Sequence, residues 1–428
     1  MQSLDDIAAC VAGYDPNALP VAQAQAFIAR LVPRVQAVES LAIRTALGRV
    51  LARDIVSPLH VPSHDNAAMD GYALRAADLS AEADTLIGVA GTALAGEPFP
   101  GVVGPGQGVR IMTGAVMPDG LDTVVPQEFT RPAADGRVCI PAGTVSAGDN
   151  RRLAGEDLAR GEVALAAGRT ITPADLGLLA SLGQAEVPVF RRLRVAFFST
   201  GDELRSIGES LDAGCVYDSN RYTLWGMLQR LGVELVDMGV VRDDPAALRE
   251  AFTQAAASAD AVITSGGVSV GEADHTKQVM RDLGEVLFWK IAMRPGRPMA
   301  IGRLHPAGQA RPAMLFGLPG NPVAVMVTFY AFVRDALLAM GGATPQPLPL
   351  LRAVSTEALR KKPGRTEFQR GIVSPGADGR WEVRLTGTQG AGVLRSMSEA
   401  NALVVLGHAQ GSVAAGDEVE VWLFDGLV

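Results

Sequence analysis

The stretch Thr264-Ser265-Gly266-Gly267-Val268-Ser269-Val270-Gly271-Glu272-Ala273-Asp274 brings hydroxyls, paired glycines and two carboxylates together. It follows the apolar run Ala261-Val262-Ile263, which predicts a buried strand, and leads into a helix expected over Lys277–Leu283. Glycines let backbone N–H groups approach an anion, and a helix start favours negative charge. Phosphate binding is the chemistry this combination suits, with Ser265, Gly266, Gly267 and Ser269 as donors. Glu272 and Asp274 are candidate Mg²⁺ ligands, because hard cations take oxygen.

Four further segments carry chemistry. Ser199-Thr200-Gly201-Asp202-Glu203-Leu204 leaves a predicted strand with a hydroxyl, a glycine and two acids. Asp65-Asn66-Ala67-Ala68-Met69-Asp70-Gly71-Tyr72-Ala73 is acidic and turn-rich, and Arg110-Ile111-Met112-Thr113-Gly114-Ala115 sets a hydroxyl beside a glycine. Leu318-Pro319-Gly320-Asn321-Pro322 precedes a long apolar helix. Each has a plainer role open to it. Asp65 and Asp70 suit Asx-turns, and Thr113 suits a bond to a local backbone group. Asp243 or Asp244 suits the cap of the helix beginning at Pro245. Asp157 suits a surface pair with Arg151 or Arg152, and Lys290 and Arg370 suit exposed strand positions.

The elements that must position these groups follow from periodicity. Between 191 and 342, strands at Leu193–Ser199, Val233–Val236, Ala261–Ile263 and Ala313–Phe316 alternate with helices at Asn220–Leu231, Pro245–Ser258 and Pro322–Met340. That alternation predicts a mostly parallel sheet covered on both faces, with ligands at the carboxyl ends of its strands. Residues 1–56 read as helical, with segments Ala22–Leu31 and Leu41–Leu51. They are grouped with residues 150–190, where a helix over Pro173–Leu182 follows a Thr172 cap. Residues 57–149 read as an inserted β domain rich in Gly and Pro, with strands near Thr85–Ala90 and Thr123–Pro126. A Pro-rich linker at 344–349 precedes a C-terminal β domain, 343–428, read as a small barrel or sandwich. Its strands are expected at Trp381–Leu385, Ala402–Leu406 and Glu418–Leu423.

Composition excludes several classes. The 428 residues hold 38 Lys+Arg against 46 Asp+Glu, a formal charge of −8. That argues against a broad basic surface for nucleic acid, though not against a local cationic pocket. The three cysteines, Cys10, Cys139 and Cys215, have no metal-ligand spacing and read as free thiols of a reducing compartment. No apolar run is expected to span a bilayer and no leader pattern is present, so a cytoplasmic protein is expected. Lysine occurs only at 277, 290, 361 and 362, which draws attention to Lys290.

Taken together and in this order, the Asp-Asn-Ala-Ala-Met-Asp-Gly-Tyr-Ala, Ser-Gly-Gly-Val-Ser and Leu-Pro-Gly-Asn-Pro segments resemble the molybdopterin molybdenumtransferases, the MoeA family, and the E domain of gephyrin. The likeness runs from Val21 to the C-terminus. It implies a multidomain α/β protein. A three-layer molybdopterin-binding-like domain is joined by a helical N-terminal domain with a β insertion, and by a C-terminal β-barrel-like domain. It implies Mg²⁺-dependent insertion of molybdenum from molybdate into adenylylated molybdopterin, with release of AMP. It also implies a homodimer and hand-over from a molybdopterin adenylyltransferase, without nucleic acid or membrane.

By motif position, Glu203, Asp243 and Asp274 would handle the metal, with Lys290 and Asp65 beside them in catalysis. Thr113, Asp157, Arg294, Pro319, Gly320, Asn321 and Arg370 would join the phosphate-loop residues in binding substrate. Two positions depart from the family pattern: Arg294 stands where lysine usual to the family would precede Pro-Gly-X-Pro, and Ala391 stands where serine would follow Gln-Gly. Two alternatives stay open. One is an adenylyltransferase-like or nucleotide-processing enzyme on the same α/β fold, and the other is a gephyrin-like scaffold.

Overall fold

The computed structural model describes residues 4–9, 14–268, 274–306, 308 and 311–425, with Asp5 and Asp274 described by backbone alone. Ser269 and Glu272, both expected at the site, lie outside the described residues. The chain forms two compact units. One comprises 1–39, 48–52 and 189–428, and the other 40–47 and 53–188.

The N-terminal region departs from its expected helical character. Helices α1 (Leu4–Ala9) and α2 (Val21–Leu31) form, and α2 buries Phe27, Ile28 and Leu31. These residues join the same core as Trp289, Phe316 and Phe329, so this stretch belongs to the larger unit. Leu41–Leu51 is not a helix. Strand Val38–Ala42 ends there in a single 3₁₀ turn, Ile43–Thr45. The reason is visible in burial: Leu47 is exposed, so the apolar residues do not share one helical face.

The smaller unit is built on a six-stranded sheet. Its strands are β1 (Gly71–Leu74), β2 (Thr85–Ala93), β3 (Gln107–Ile111), β4 (Thr123–Pro126), β5 (Arg131–Pro132) and β6 (Val138–Ile140), in the order β4-β1-β3-β2-β6-β5. Between 150 and 188 only one α-helix forms, α3 (Pro173–Ser181), among short strands. It starts where expected. Thr172 and Asp175 form a reciprocal capping box, which satisfies two otherwise orphaned backbone N–H groups.

In the larger unit, β7 (Arg194–Thr200), α4 (Ser219–Arg230), β8 (Glu234–Val241), α5 (Pro245–Ser258), β9 (Ala261–Ser265), α6 (Asp274–Leu283), β10 (Gly284–Lys290), β11 (Pro298–Leu304) and β12 (Ala313–Leu318) build a sheet of order β8-β7-β9-β12-β11-β10. The first four strands are parallel, and β11 and β10 close the edge antiparallel. β9 and β12 are buried along their whole length, as a parallel sheet covered on both sides requires. Alternate side chains feed two cores. Phe197, Ile263 and Phe316 enter one, and Phe198, Val262 and Leu315 the other. All of β7, β8, β9 and β12 therefore end on the same edge, where their loops gather.

Helix 322–340 follows β12 as α7 (Pro322–Thr328), a π-helical turn (Phe329–Val333) and α8 (Arg334–Met340). Against the sequence expectation, it is long and apolar enough to cross a membrane by length and composition; most of it is buried inside the protein, as a core helix would be.

The C-terminal part holds β13 (Leu351–Ser355), β14 (Thr366–Pro375), β15 (Trp381–Leu385), β16 (Ala402–Leu406) and β17 (Glu418–Leu423). They run β14-β15-β13-β17-β16, and a further β14–β16 pairing closes them into a barrel. The two-residue strand Met293–Arg294 pairs with the start of β14 and ties this barrel to the sheet domain.

Candidate active site

A cavity of about 340 Å³ opens where the parallel strands end. Glu203 and Asp243 line it, from the loops after β7 and β8. Ser265, Gly266 and Gly267 follow β9, and Pro319, Gly320 and Asn321 follow β12. Arg294 and Gly296 come from the segment before β11, and Gln389 and Ala391 from the barrel domain. Nine of the residues expected from the sequence thus meet at one cavity: Glu203, Asp243, Ser265, Gly266, Gly267, Arg294, Pro319, Gly320 and Asn321.

The backbone is shaped by close approach. Gly266 has φ +97°, its N–H donates to Leu318 O at 3.1 Å, and a Cβ there would overlap the Thr200 carbonyl. No other residue fits this crossing of three strand exits. Gly296 has φ +92°, and a Cβ would overlap Thr328 Oγ1. Gly296→Ala is therefore expected to lower stability by about 1–3 kcal/mol through strain and overlap, read as a drop in the denaturation midpoint. An unchanged midpoint would show that the Arg294 segment stands clear of the long helix.

The acids divide their work. Asp244 caps α5 by accepting from Ala247 N at 2.9 Å, so Asp243 is left to face the cavity. Asp243 accepts from the Thr200 hydroxyl, and its backbone N–H donates to Asp202 at 3.3 Å. Among the described residues, neither Asp243 nor Glu203 has an ion-pair partner. Two carboxylates facing one cavity, neither ion-paired among the described residues, form a donor set suited to a hard divalent ion. No set of three possible metal ligands occurs among the described residues, and the Asp274 side chain is not among them.

Arg370 lies in a second cavity of about 280 Å³ that shares Arg294, Pro295 and Gln389 with the first. Its side chain is completely buried. Nε donates to Ser396 Oγ at 2.9 Å, and Nη2 to the carbonyls of Thr388 at 3.2 Å and Gly390 at 3.0 Å. No carboxylate pairs with it among the described residues, since nearby Glu367 is taken by Arg365 at 2.7 Å. Burial first, and the neighbouring Arg294 second, push Arg370 down to about 10. A buried cation so placed favours an incoming anion. Ser396 donates its proton to Val393 O at 2.6 Å, so it does not supply the hydroxyl that Ala391 lacks. Ser398 is exposed and does not line the cavity either.

Other expected residues stand elsewhere. Lys290 ends β10, half-buried, with its backbone bonded to Pro16 and Leu19; it does not line the cavity. Asp65, Thr113 and Asp157 belong to the smaller unit. There Asp65 accepts from Ala154 N at 2.8 Å and lies 3.6 Å from Arg151. Asp70 is spent on Thr113, accepting from both its N–H and its hydroxyl at 2.7 Å, and these bonds hold its carboxyl below the usual range. Arg152 pairs with Glu156, which leaves Asp157 exposed and without an ion pair among the described residues. Asn220 and Gln389 were missed by sequence reasoning. Asn220 sits in the Asp218-Ser219-Asn220 run that starts α4, an ordinary capping pattern. Gln389 gave no local signal beyond its glycine neighbours.

Comparison with known proteins places this geometry. Residues 19–183 match the MoeA N-terminal region (domain I and II), 196–339 the probable molybdopterin binding domain, and 352–424 the MoeA C-terminal region (domain IV). The chain belongs to the MoeA family. A protein of Haemophilus influenzae named molybdopterin molybdenumtransferase is 41% identical over 411 residues, 96% of this chain and 100% of that protein. One of the same name from a Nostoc species is 37% identical over 403 residues, 92% of this chain and 91% of its own length. A crystal structure of the molybdopterin biosynthesis MoeA protein of Pyrococcus horikoshii superposes with TM-score 0.81 at 27% identity, covering 95% of this chain and 100% of that one. Because the flanking regions match as well as the sheet domain, a stand-alone adenylyltransferase-like enzyme is not favoured.

Proposed function

We propose that this chain inserts molybdenum from molybdate into adenylylated molybdopterin and releases AMP. The observation that carries the reading is the pairing of two adjoining cavities. Among the described residues, one bears carboxylates without an ion pair and a glycine-lined strand exit, and the other a buried arginine without a carboxylate partner. The first suits a pyrophosphate with its metal, the second a tetrahedral dianion. Arg294 and Gln389 line both.

Glu203 and Asp243 would hold Mg²⁺, with Asp274 as the third carboxylate proposed. Bound there, the ion would neutralise phosphate charge at the anhydride. The Gly266 N–H is bonded to Leu318 O, so the Gly267 N–H is the one of this glycine pair that would orient the phosphates. Arg294 stabilises charge on the departing phosphate or the oxyanion, and Arg370 holds the oxyanion against the Thr388–Gly390 loop. Lys290 and Asp65 are proposed as further catalytic residues, and Ser269, Thr113 and Asp157 as further substrate-binding residues. A homodimer, cytoplasmic location and hand-over from an adenylyltransferase complete the proposal.

The test incubates purified chain with adenylylated molybdopterin and Mg²⁺, with and without molybdate, and follows AMP. The expected result is AMP release that depends on molybdate and stops when the metal is chelated. Release indifferent to molybdate, or adenylylation of molybdopterin from ATP, would overturn the reading.

A further inference from the structure

Asn220 stands in the first turn of α4 and is 8% exposed. Its Nδ2 donates to Ser265 Oγ at 2.8 Å and to Gly320 O at 2.6 Å. Ser265 Oγ in turn donates to Pro319 O at 3.4 Å. A carbonyl only accepts, so the amide nitrogen must face Gly320 and the amide orientation is fixed. Oδ1 is buried and has no partner among the described residues. The start of α4 is itself anchored, because Asp218 accepts from Arg221 N at 3.1 Å and from Ser199 Oγ at 3.0 Å at the end of β7.

One amide therefore joins the strand exits after β9 and β12, from a helix start that Asp218 ties to the end of β7. It does so at the wall of the cavity, with its two donor hydrogens used and its acceptor unspent. We propose that Asn220 is a positioning residue for the substrate's phosphates. It clamps the Pro319–Gly320–Asn321 turn over Ser265 and Gly266, and so fixes the backbone donors that meet them. Asparagine suits the task because two N–H donors must lie in one plane on a short arm. Aspartate matches its shape and loses both donors.

The inference rests on the phosphate-binding reading above, and the test separates the two. AMP binding is measured by calorimetry on the full chain with Mg²⁺, alongside steady-state kinetics. Asn220→Asp and Asn220→Ala are expected to weaken AMP about tenfold, the scale of a lost hydrogen bond, and to raise KM for the adenylylated substrate while kcat and half-saturating molybdate hold. Ser265→Ala keeps the Gly320 bond and should weaken AMP by only about threefold. It also serves as the second variant should Asn220→Ala not fold. AMP affinity unchanged in Asn220→Asp and Ser265→Ala, or a loss confined to kcat, overturns the positioning role. A wild-type chain that does not bind AMP overturns the phosphate reading itself, and this inference with it.

Discussion

Asp243→Ala is expected to cut molybdate-dependent AMP release about a hundredfold or more while the chain stays folded, the scale of losing an electrostatic stabiliser. Asp243 is exposed at a strand exit and, among the described residues, its side chain is bonded only to the Thr200 hydroxyl, so the fold does not lean on it. Exposed substitutions of this kind change stability by about 0.5 kcal/mol or less. The neighbouring carboxylate supplies the control. Asp244 caps α5, and Asp244→Ala should cost about 1 kcal/mol of stability with turnover nearly intact. Adjacent acids would then show opposite phenotypes, one in chemistry and one in folding. Turnover and denaturation midpoints of the two variants check this. Near-normal turnover in Asp243→Ala, with the loss falling on Asp244→Ala instead, would sink the assignment of the metal-handling role.

The contrast between those acids shows where the sequence was sufficient. Strands of β-branched and aromatic residues leading into Gly, hydroxyl and acid place the cavity at strand exits, and Thr200–Glu203, Ser265–Gly267 and Pro319–Asn321 each contribute to its lining. Helix α5 and strands β15, β16 and β17 fall at the bounds expected from the sequence, because strong local periodicity and tertiary packing agree there. Leu41–Leu51 is apolar enough for a helix but lacks helical phase, because Leu47 faces solvent. The sequence leaves open which of Asp243 and Asp244 caps the helix, since both are aspartates and only the backbone conformation decides. Arg370 read as an exposed strand residue or an anion ligand, whereas it is completely buried. Burial of a charge depends on the barrel closing through the β14–β16 pairing, a contact between distant segments that no local pattern encodes. Asn220 escaped notice for the same reason: its partners are 45 and 100 residues away.

Arg370→Ala should raise the half-saturating molybdate concentration about tenfold or more, with a smaller effect on binding of the adenylylated pterin, as loss of a charge-assisted bond to a buried anion implies. The variant also removes bonds to Ser396, Thr388 O and Gly390 O, so a stability loss of about 2–4 kcal/mol is expected alongside. Arg294 separates the two effects. It is exposed and makes no side-chain bond among the described residues, yet lines both cavities. Arg294→Gln should therefore leave the midpoint within about 0.5 kcal/mol and still raise the molybdate requirement. A dianion also relieves the repulsion between the two guanidinium groups, which helps push Arg370 down to about 10. Molybdate should accordingly raise the melting temperature of the wild type by mass action, and raise it less in Arg294→Gln. Ala391 faces the first cavity, with its carbonyl held by Val323 N at 3.0 Å, so Ala391→Ser can add a hydroxyl without moving the backbone. That variant should lower the half-saturating molybdate concentration. A molybdate titration unchanged in both Arg370→Ala and Arg294→Gln would mean that the buried cation serves only to brace the Thr388–Gly390 loop, and the oxyanion would have to bind elsewhere.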